Sequence, residues 1–391
     1  YGRARPRGAR VVNARAALYA GPDLENACVR SEAAPRETGG GSSFRLDLRA
    51  ATRHAFETAQ RATLTHIREV EIVGDTGARL RYVGTGRNLS FLLGVSADAY
   101  QVESERRLAP REVRSAVRED RGEDLLLLDT DSALATLGDA RPALRVAPWL
   151  KQRLALPPRW DAFLGMLPAK ARRNLSRCLR KYGYTARIDD GPDAFRRFYH
   201  EMYRPHVLQR FGSEAVVQGE SDFLSALRGA ELVELLHEGE VVAANSLRLA
   251  GDGLWILWCG VSKAVAQRDL KGTTEVLDYF SILHGFRSGC RRVDLGRARP
   301  RLDDGPLRYK AKWRGHVELS RLQRPPLRIL PRNLGPTTAA CLARGGWIAR
   351  RGRALEGVVM RTGEPVGSAE LERIAEDARL PGLARLRVCA M

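Results

Sequence analysis

What most limits the fold open to this chain is one order of short elements that recurs along it. In the first half, residues 66–73 and 78–83 are strand-like and flank Gly74-Asp75-Thr76-Gly77, a hairpin signal. Residues 89–95 read as a third strand, 110–119 as a helix, and 124–129, with Leu125 to Leu128 consecutive, as a fully buried strand. In the second half, 231–237 and 241–249 flank Glu238-Gly239-Glu240, and 254–260 follows Gly251-Asp252-Gly253. A helix over 273–287 and a strand over 291–295 complete that set. Hairpin, third strand, helix and strand describe an antiparallel meander that closes by a crossover onto a parallel neighbour. The expected class is mixed α/β (α+β): two mixed, mostly antiparallel sheets, each flanked by helices.

The 391 residues suit two domains and a tail. Residues 1–43 lack periodicity and end in Gly39-Gly40-Gly41-Ser42-Ser43, a flexible linker by composition. The expected division is a disordered basic arm at 1–43, a first domain at 44–150, a second at 151–320, and an Arg/Pro-rich C-terminal extension at 321–391. Around the junction, Trp160, Phe163, Leu164 and Leu167 recur at the spacing of an amphipathic helix. Ala171, Leu175, Cys178, Leu179 and Tyr182 form the apolar stripe of the next helix, whose remaining surface carries Lys170, Arg172, Arg173, Arg177, Arg180 and Lys181. A further helix, with Phe195, Phe198, Tyr199 and Met202 on its stripe, is expected to stop at Pro205.

Charge narrows the ligands. With 65 Lys and Arg against 46 Asp and Glu, the net charge of +19 attracts polyanions: nucleic acid, an anionic membrane surface or a phosphate-bearing acyl donor. The six cysteines are dispersed without a Cys-x-x-Cys pair, which suits a reducing, cytoplasmic setting and offers neither a disulfide framework nor a zinc site. No run has the roughly 18 apolar residues of a membrane-spanning helix, which leaves peripheral membrane contact open.

Residues 291–315 concentrate the chemistry. A short apolar strand with Val293 and Leu295 stops at Gly296, an Arg-rich loop with paired carboxylates follows, and a second strand-like run carries Tyr309, Lys310 and Trp313. Charged loops at the ends of buried strands are where α/β folds hold ligands. The stretch resembles the C-terminal acceptor-side motif of GNAT and Fem-type (BioF2-like) acyltransferases, in which Asp-x-Gly leads into Gly-(x)-hydrophobic-x-x-Lys-x-x-Trp/Phe-Gly. Here that reads Asp294-Leu295-Gly296, then Gly305, Leu307, Lys310, Trp313 and Gly315. The resemblance covers about residues 145–320. It implies tandem GNAT-like domains, degenerate at 44–150 and catalytic at 151–320, with no tightly bound cofactor.

The resemblance also places a donor pyrophosphate on a turn written Arg/Gln-x-x-Gly-x-Gly/Ala, at the N-terminus of a helix. Gln267, Arg268, Lys271, Gly272, Thr273 and Thr274 stand there, and Leu270 occupies the first glycine position. The departure leaves acyl-CoA (or an acyl carrier) and aminoacyl-tRNA both open as donors. A plain turn with Thr273 as a cap remains the alternative.

Amide formation needs a proton acceptor and a stabiliser of the oxyanion. Asp303 and Asp304 are candidate bases, with His206 as a further one, and Lys310 a candidate charge stabiliser. Arg301, Arg308, Tyr309, Trp313 and Asn245 are candidates for binding the acceptor or lining the acyl channel. Asp303-Asp304-Gly305-Pro306 also suits an ordinary turn, and Asp294 suits a loop cap. No metal-ligand spacing is present. The leading expectation is an N-acyltransferase acting on an amine, in cell-envelope, polysaccharide or secondary-metabolite synthesis. The alternatives are Fem-type aminoacyl transfer and a non-catalytic nucleic-acid-binding protein that uses the Lys170–Lys181 face.

Overall fold

A computed structural model describes residues 10–13, 67–94, 96–130, 143–212, 215, 217–319, 326–363 and 367–390. In chain order the first elements are β1 (Arg10–Asn13), β2 (Ile67–Gly74), β3 (Arg79–Gly84), α1 (Leu89–Gly94), β4 (Tyr100–Leu108), α2 (Pro110–Arg118), β5 (Leu125–Asp129), β6 (Leu144–Val146) and β7 (Leu150–Ala155). Helices α3 (Trp160–Met166) and α4 (Ala169–Tyr182) lead to β8 (Thr185–Asp189). Next come α5 (Pro192–Arg197), a π-helical segment (Phe198–Tyr203), α6 (Arg204–Phe211) and α7 (Glu220–Ala226). The second meander is β9 (Glu231–His237), β10 (Glu240–Ala250) and β11 (Gly253–Val261), followed by α8 (Lys263–Gln267), α9 (Thr273–Arg287) and β12 (Arg292–Ala298). The chain ends with α10 (Gly305–Lys312), β13 (His316–Leu319), β14 (Leu327–Pro331), α11 (Pro336–Ala343), β15 (Trp347–Arg351), β16 (Ala354–Arg361), α12 (Ser368–Asp377) and β17 (Arg385–Ala390).

Two mixed sheets flanked by helices result, as the sequence leads one to expect. One runs β1-β8-β9-β10-β11-β12-β7-β13, the other β17-β16-β15-β6-β14-β5-β3-β2-β4. Their centres share one succession of pairings. Across β9-β10-β11-β12-β7-β13 the pairs are antiparallel, antiparallel, parallel, antiparallel and antiparallel. The same succession holds across β4-β2-β3-β5-β14-β6. Connectivity differs: β9 precedes its hairpin partner, whereas β4 follows β3 and returns to the far side of β2.

Three local expectations are corrected. Residues 89–94 form helix α1, with Phe91, Leu92 and Leu93 all buried. A short apolar run has no periodicity to separate helix from strand, and three consecutive buried side chains do not fit a half-buried strand. The third strand is instead β4, whose polar sequence is exposed at every position except Leu108. Pro205 does not end its helix, because the π-helical segment re-phases the chain and Pro205 falls in the first turn of α6, where a missing N–H is tolerated. The run expected as a strand around Tyr309 and Lys310 is helix α10.

Within the expected disordered arm, Arg10–Asn13 pairs with β8; the rest of 1–43 lies outside the described residues. Residues 327–390, read as an extension, supply four strands to the sheet of the first half.

The two sheets are joined by a shared apolar cluster. Leu150, Leu302, Leu307 and Val317 pack with Ile348, Leu355 and Leu380. The Val317 N–H donates to the Pro381 carbonyl at 2.8 Å. Gly382 follows with φ +97°, and a Cβ there would lie 2.3 Å from the Val317 carbonyl oxygen. Gly382→Ala therefore meets both a left-handed backbone and a backbone clash, and is expected to destabilise by more than ~1 kcal/mol. Thermal melting checks this; an unchanged Tm would show that the contact between β13 and the C-terminal segment yields freely.

Candidate active site

The parallel pair β11–β12 is joined only from Gly253↔Arg292 to Trp255↔Asp294. Beyond it the strands part, β11 continuing along β10 and β12 along β7, with the β12–β7 ladder broken between Asp294 and Arg297. Gly296 turns the chain there with φ +82°, a conformation open chiefly to glycine. A split of this kind leaves strand edges without their usual partners, so backbone N–H and C=O groups can meet a ligand. In the other sheet the corresponding pair is closed: β3 and β5 stay in register from Leu80↔Leu125 to Gly84↔Asp129.

Helix α10 delivers Lys310 to the split. Its ammonium donates to the Arg297 carbonyl at 2.6 Å, and burial lowers its pKa to about 8 against the opposing pull of Asp278, Asp304 and Asp294. Beside it lies a buried polar cluster. Asp278 of α9 accepts from Tyr309 Oη and from Asn245 Nδ2, both at 2.8 Å, and Asn245 Nδ2 also donates to Ser281 Oγ at 3.0 Å. Burial raises the Asp278 carboxyl, holds the Tyr309 phenol protonated, and pushes the Cys259 thiol, opposite Asn245 in the β10–β11 register, up to about 12. Asp294 accepts from the Gly296 N–H at 2.9 Å and pairs with Lys151 at 3.0 Å, the capping role its spacing suggested.

Of the sequence candidates, Lys310, Tyr309 and Asn245 thus come together. Asp304 is the N-cap of α10: its Oδ1 accepts from the Leu307 N–H at 2.8 Å, and Pro306 stands in the first turn. Burial raises its pKa, against the opposing Leu307 N–H and the charge of Lys310. Asp303 instead pairs with Arg301 at the surface, and Arg308 donates to the Asp377 carbonyl, away from the split. Trp313 is buried and stacked on Phe163, a core position. His206 is half-buried on α6, and burial followed by Arg210 lowers its pKa.

The turn expected to hold the donor heads α9, the helix that also carries Asp278. Gly272 has φ +73°. Leu270 is buried in the core, and Thr273 Oγ1 donates to its carbonyl at 2.9 Å while meeting Tyr184 Oη at 3.0 Å. Arg268 pairs with Glu240 and Lys271 with Asp269, both on the surface. Gln267 closes α8, and Thr274 lies in the first turn of α9. Glu275, also in that turn, accepts from Asn174 of α4. An apolar depression lined by Leu167, Ala171, Leu175, Tyr309 and Trp313, with Glu275 and Lys312 at its polar side, runs between α4, α9 and α10.

Asp278, Ser281, Cys259 and Lys151 escaped the sequence reading. The signal for Asp278 was present: a carboxylate inside Val276-Leu277-Asp278-Tyr279-Phe280 interrupts a helix apolar on every side.

Residues 169–311 match the family model described as "Acetyltransferase (GNAT) domain". That segment contains α9, the split and Lys310. The resemblance to GNAT-type acyltransferases is thereby shown over that segment, and it supports a transferase of acyl or aminoacyl groups. Among solved structures the chain is similar to L-PGS from Bacillus licheniformis (15% identity, 68% of this chain and 85% of that one, TM-score 0.33). It is similar to FemX (11% identity, 64% and 80%, TM-score 0.35). A tandem GNAT protein from the clavulanic acid biosynthesis pathway is a third such structure (14% identity, 66% and 77%, TM-score 0.29). No curated protein matches the chain. Among the described residues no helix is long and apolar enough to cross a membrane.

Proposed function

We propose that residues 151–320 form an N-acyltransferase unit that moves an acyl group from acyl-CoA, or an acyl carrier, to an amine at the β11–β12 split. Residues 44–150, with the strands of 321–391, act as a non-catalytic partner. The observation that carries this reading is the placing of the Lys310 ammonium on the Arg297 carbonyl inside the split. An acyl carbonyl lying along the unpaired strand edge meets that ammonium as the amine adds and its oxygen becomes an oxyanion; collapse then breaks the C–S bond, and the donor thiolate leaves and takes a proton from solvent. Asp304 Oδ2 accepts the proton lost by the attacking amine, and burial raises its carboxyl toward the range a base requires. Asp278, Tyr309 and Asn245 fix the geometry of α9 and α10 beneath the acyl group.

A second reading, transfer from aminoacyl-tRNA, is favoured by the turn itself: Leu270 is a core residue and Thr273 uses its hydroxyl internally, so that turn offers little side-chain binding to a pyrophosphate. The basic face of α4 would then take the nucleic acid.

Coenzyme A separates the readings. Under the first, it stabilises the protein by about 2.7 kcal/mol at 100 times its dissociation constant, and the double variant Arg268→Ala/Lys271→Ala weakens the shift. No shift with any acyl-CoA, together with salt-dependent binding of charged tRNA, would establish the second.

A further inference from the structure

The loop joining β12 to α10 is held by the other sheet. The Arg299 guanidinium stacks 3.7 Å from the Trp149 ring centroid and 4.5 Å from that of Phe91 on α1. Its Nη1 donates to Asn88 Oδ1 at 2.9 Å and to the Pro148 carbonyl at 3.3 Å. Asn88 is buried and fixed in turn: its Nδ2 donates to Asp129 Oδ1 at 3.1 Å, and its N–H to Oδ2 at 3.2 Å. Tyr82 Oη and Thr85 Oγ1 donate to that same Oδ2 at 2.8 and 3.3 Å. The loop backbone is tied as well, with the Leu302 N–H on the Gly346 carbonyl at 2.8 Å and the Ile348 N–H on the Pro300 carbonyl at 2.9 Å.

These contacts act on one short piece of chain. Arg297, whose carbonyl receives Lys310 Nζ, precedes Arg299 by a single intervening residue. An Arg held between two rings and by two hydrogen bonds is a stiff anchor, because its planar group stacks and donates at once. The anchor's far end, Asp129, sits at the last pair of the closed β3–β5 ladder, Gly84↔Asp129.

We propose that Arg299 is a positioning residue for acyl transfer. Gripped by Trp149, Phe91 and Asn88, it lets the closed first sheet fix the end of β12, and so the place of the Lys310 ammonium in the split. The non-catalytic half is then part of the site's support. This inference rests on the reading of Lys310 given above.

The full-length chain carrying Arg299→Met, which keeps much of the apolar stem and removes the guanidinium, tests it. Freed of its anchor, β12 shifts and Lys310 gains water. Lys310 faces Asp278 of α9, Asp304 at the cap of α10, Asp294 of β12 and Arg210 of α6, all retained in the variant. The pH dependence of Lys310 labelling by acetic anhydride, read by mass spectrometry, moves alkaline toward an ordinary lysine. Turnover falls about 10- to 100-fold, the effect of misplacing a reacting group by around an ångström, while KM for the donor changes little. Arg299→Lys, which keeps a cation over the rings, restores part of both. A folded Arg299→Met protein with unchanged Lys310 labelling and turnover overturns the proposal. Should that variant not fold, Trp149→Leu is read by the same two measurements, with the same outcomes for and against. A shift in labelling without transfer from any donor would support the positioning and count against acyl transfer, so the two can fail separately.

Discussion

Lys310→Met is expected to lower turnover by about 10²–10³-fold, the loss that follows removal of one donor to a developing oxyanion. The same change should leave the fold intact, because the ammonium is half-buried and its removal takes away a desolvated charge. The pH dependence of stability gives an independent check. Unfolded, Lys310 keeps its proton up to its ordinary value of 10.5, whereas in the fold burial releases it near 8. Between those values the unfolded chain binds more protons, so this residue's contribution to stability rises with pH across that window. Denaturant titrations of the wild type at pH 8 and pH 10 should show that rise relative to Lys310→Met. Equal slopes in the two proteins would mean that Lys310 titrates as an exposed lysine.

Asp304 offers the second large effect, and two substitutions divide its roles. Asparagine caps a helix about as well as aspartate, so Asp304→Asn should keep the bond to the Leu307 N–H and the melting temperature while losing the base. Turnover then falls by about 10²–10⁴-fold. Asp304→Ala loses the cap as well and should cost a further ~1 kcal/mol of stability. Full activity in Asp304→Asn would reduce the residue to a cap, and would pass the proton to solvent or to the acceptor's own groups.

Much of the second sheet was legible because its signals are local. The Glu238-Gly239 turn, the apolar runs of β9 to β11 and the length of α9 all follow from neighbouring residues, and the recurrence of that order pointed to the paired sheets. The first sheet was harder to read. Strand β4 is an exposed edge whose charged sequence carries no apolar period, and α1 is an apolar run too short to show one. The helix at Tyr309 and Lys310 was missed although its start is written in Asp304-Gly305-Pro306, a cap followed by a proline in the first turn. At the candidate site, Lys310 was named from the motif, Asp304 from the paired carboxylates of the loop and Asn245 from its polarity in apolar surroundings. Asp278 meets Tyr309 only through the packing of α9 on α10, and Arg299 meets Phe91 only through the junction of the sheets. Neither contact leaves a local trace in the sequence.

The pH–rate profile of acyl transfer, measured for wild type and Lys310→Arg with the donor that stabilises the protein, tests the central claim most directly. If the protonated Lys310 in the β11–β12 split stabilises the transition state, kcat falls as pH rises through about 8. In Lys310→Arg, which keeps its proton at every accessible pH, that alkaline limb disappears even where the remaining rate is low. A wild-type rate that stays flat or climbs through this range, or an identical limb in both proteins, would contradict the account.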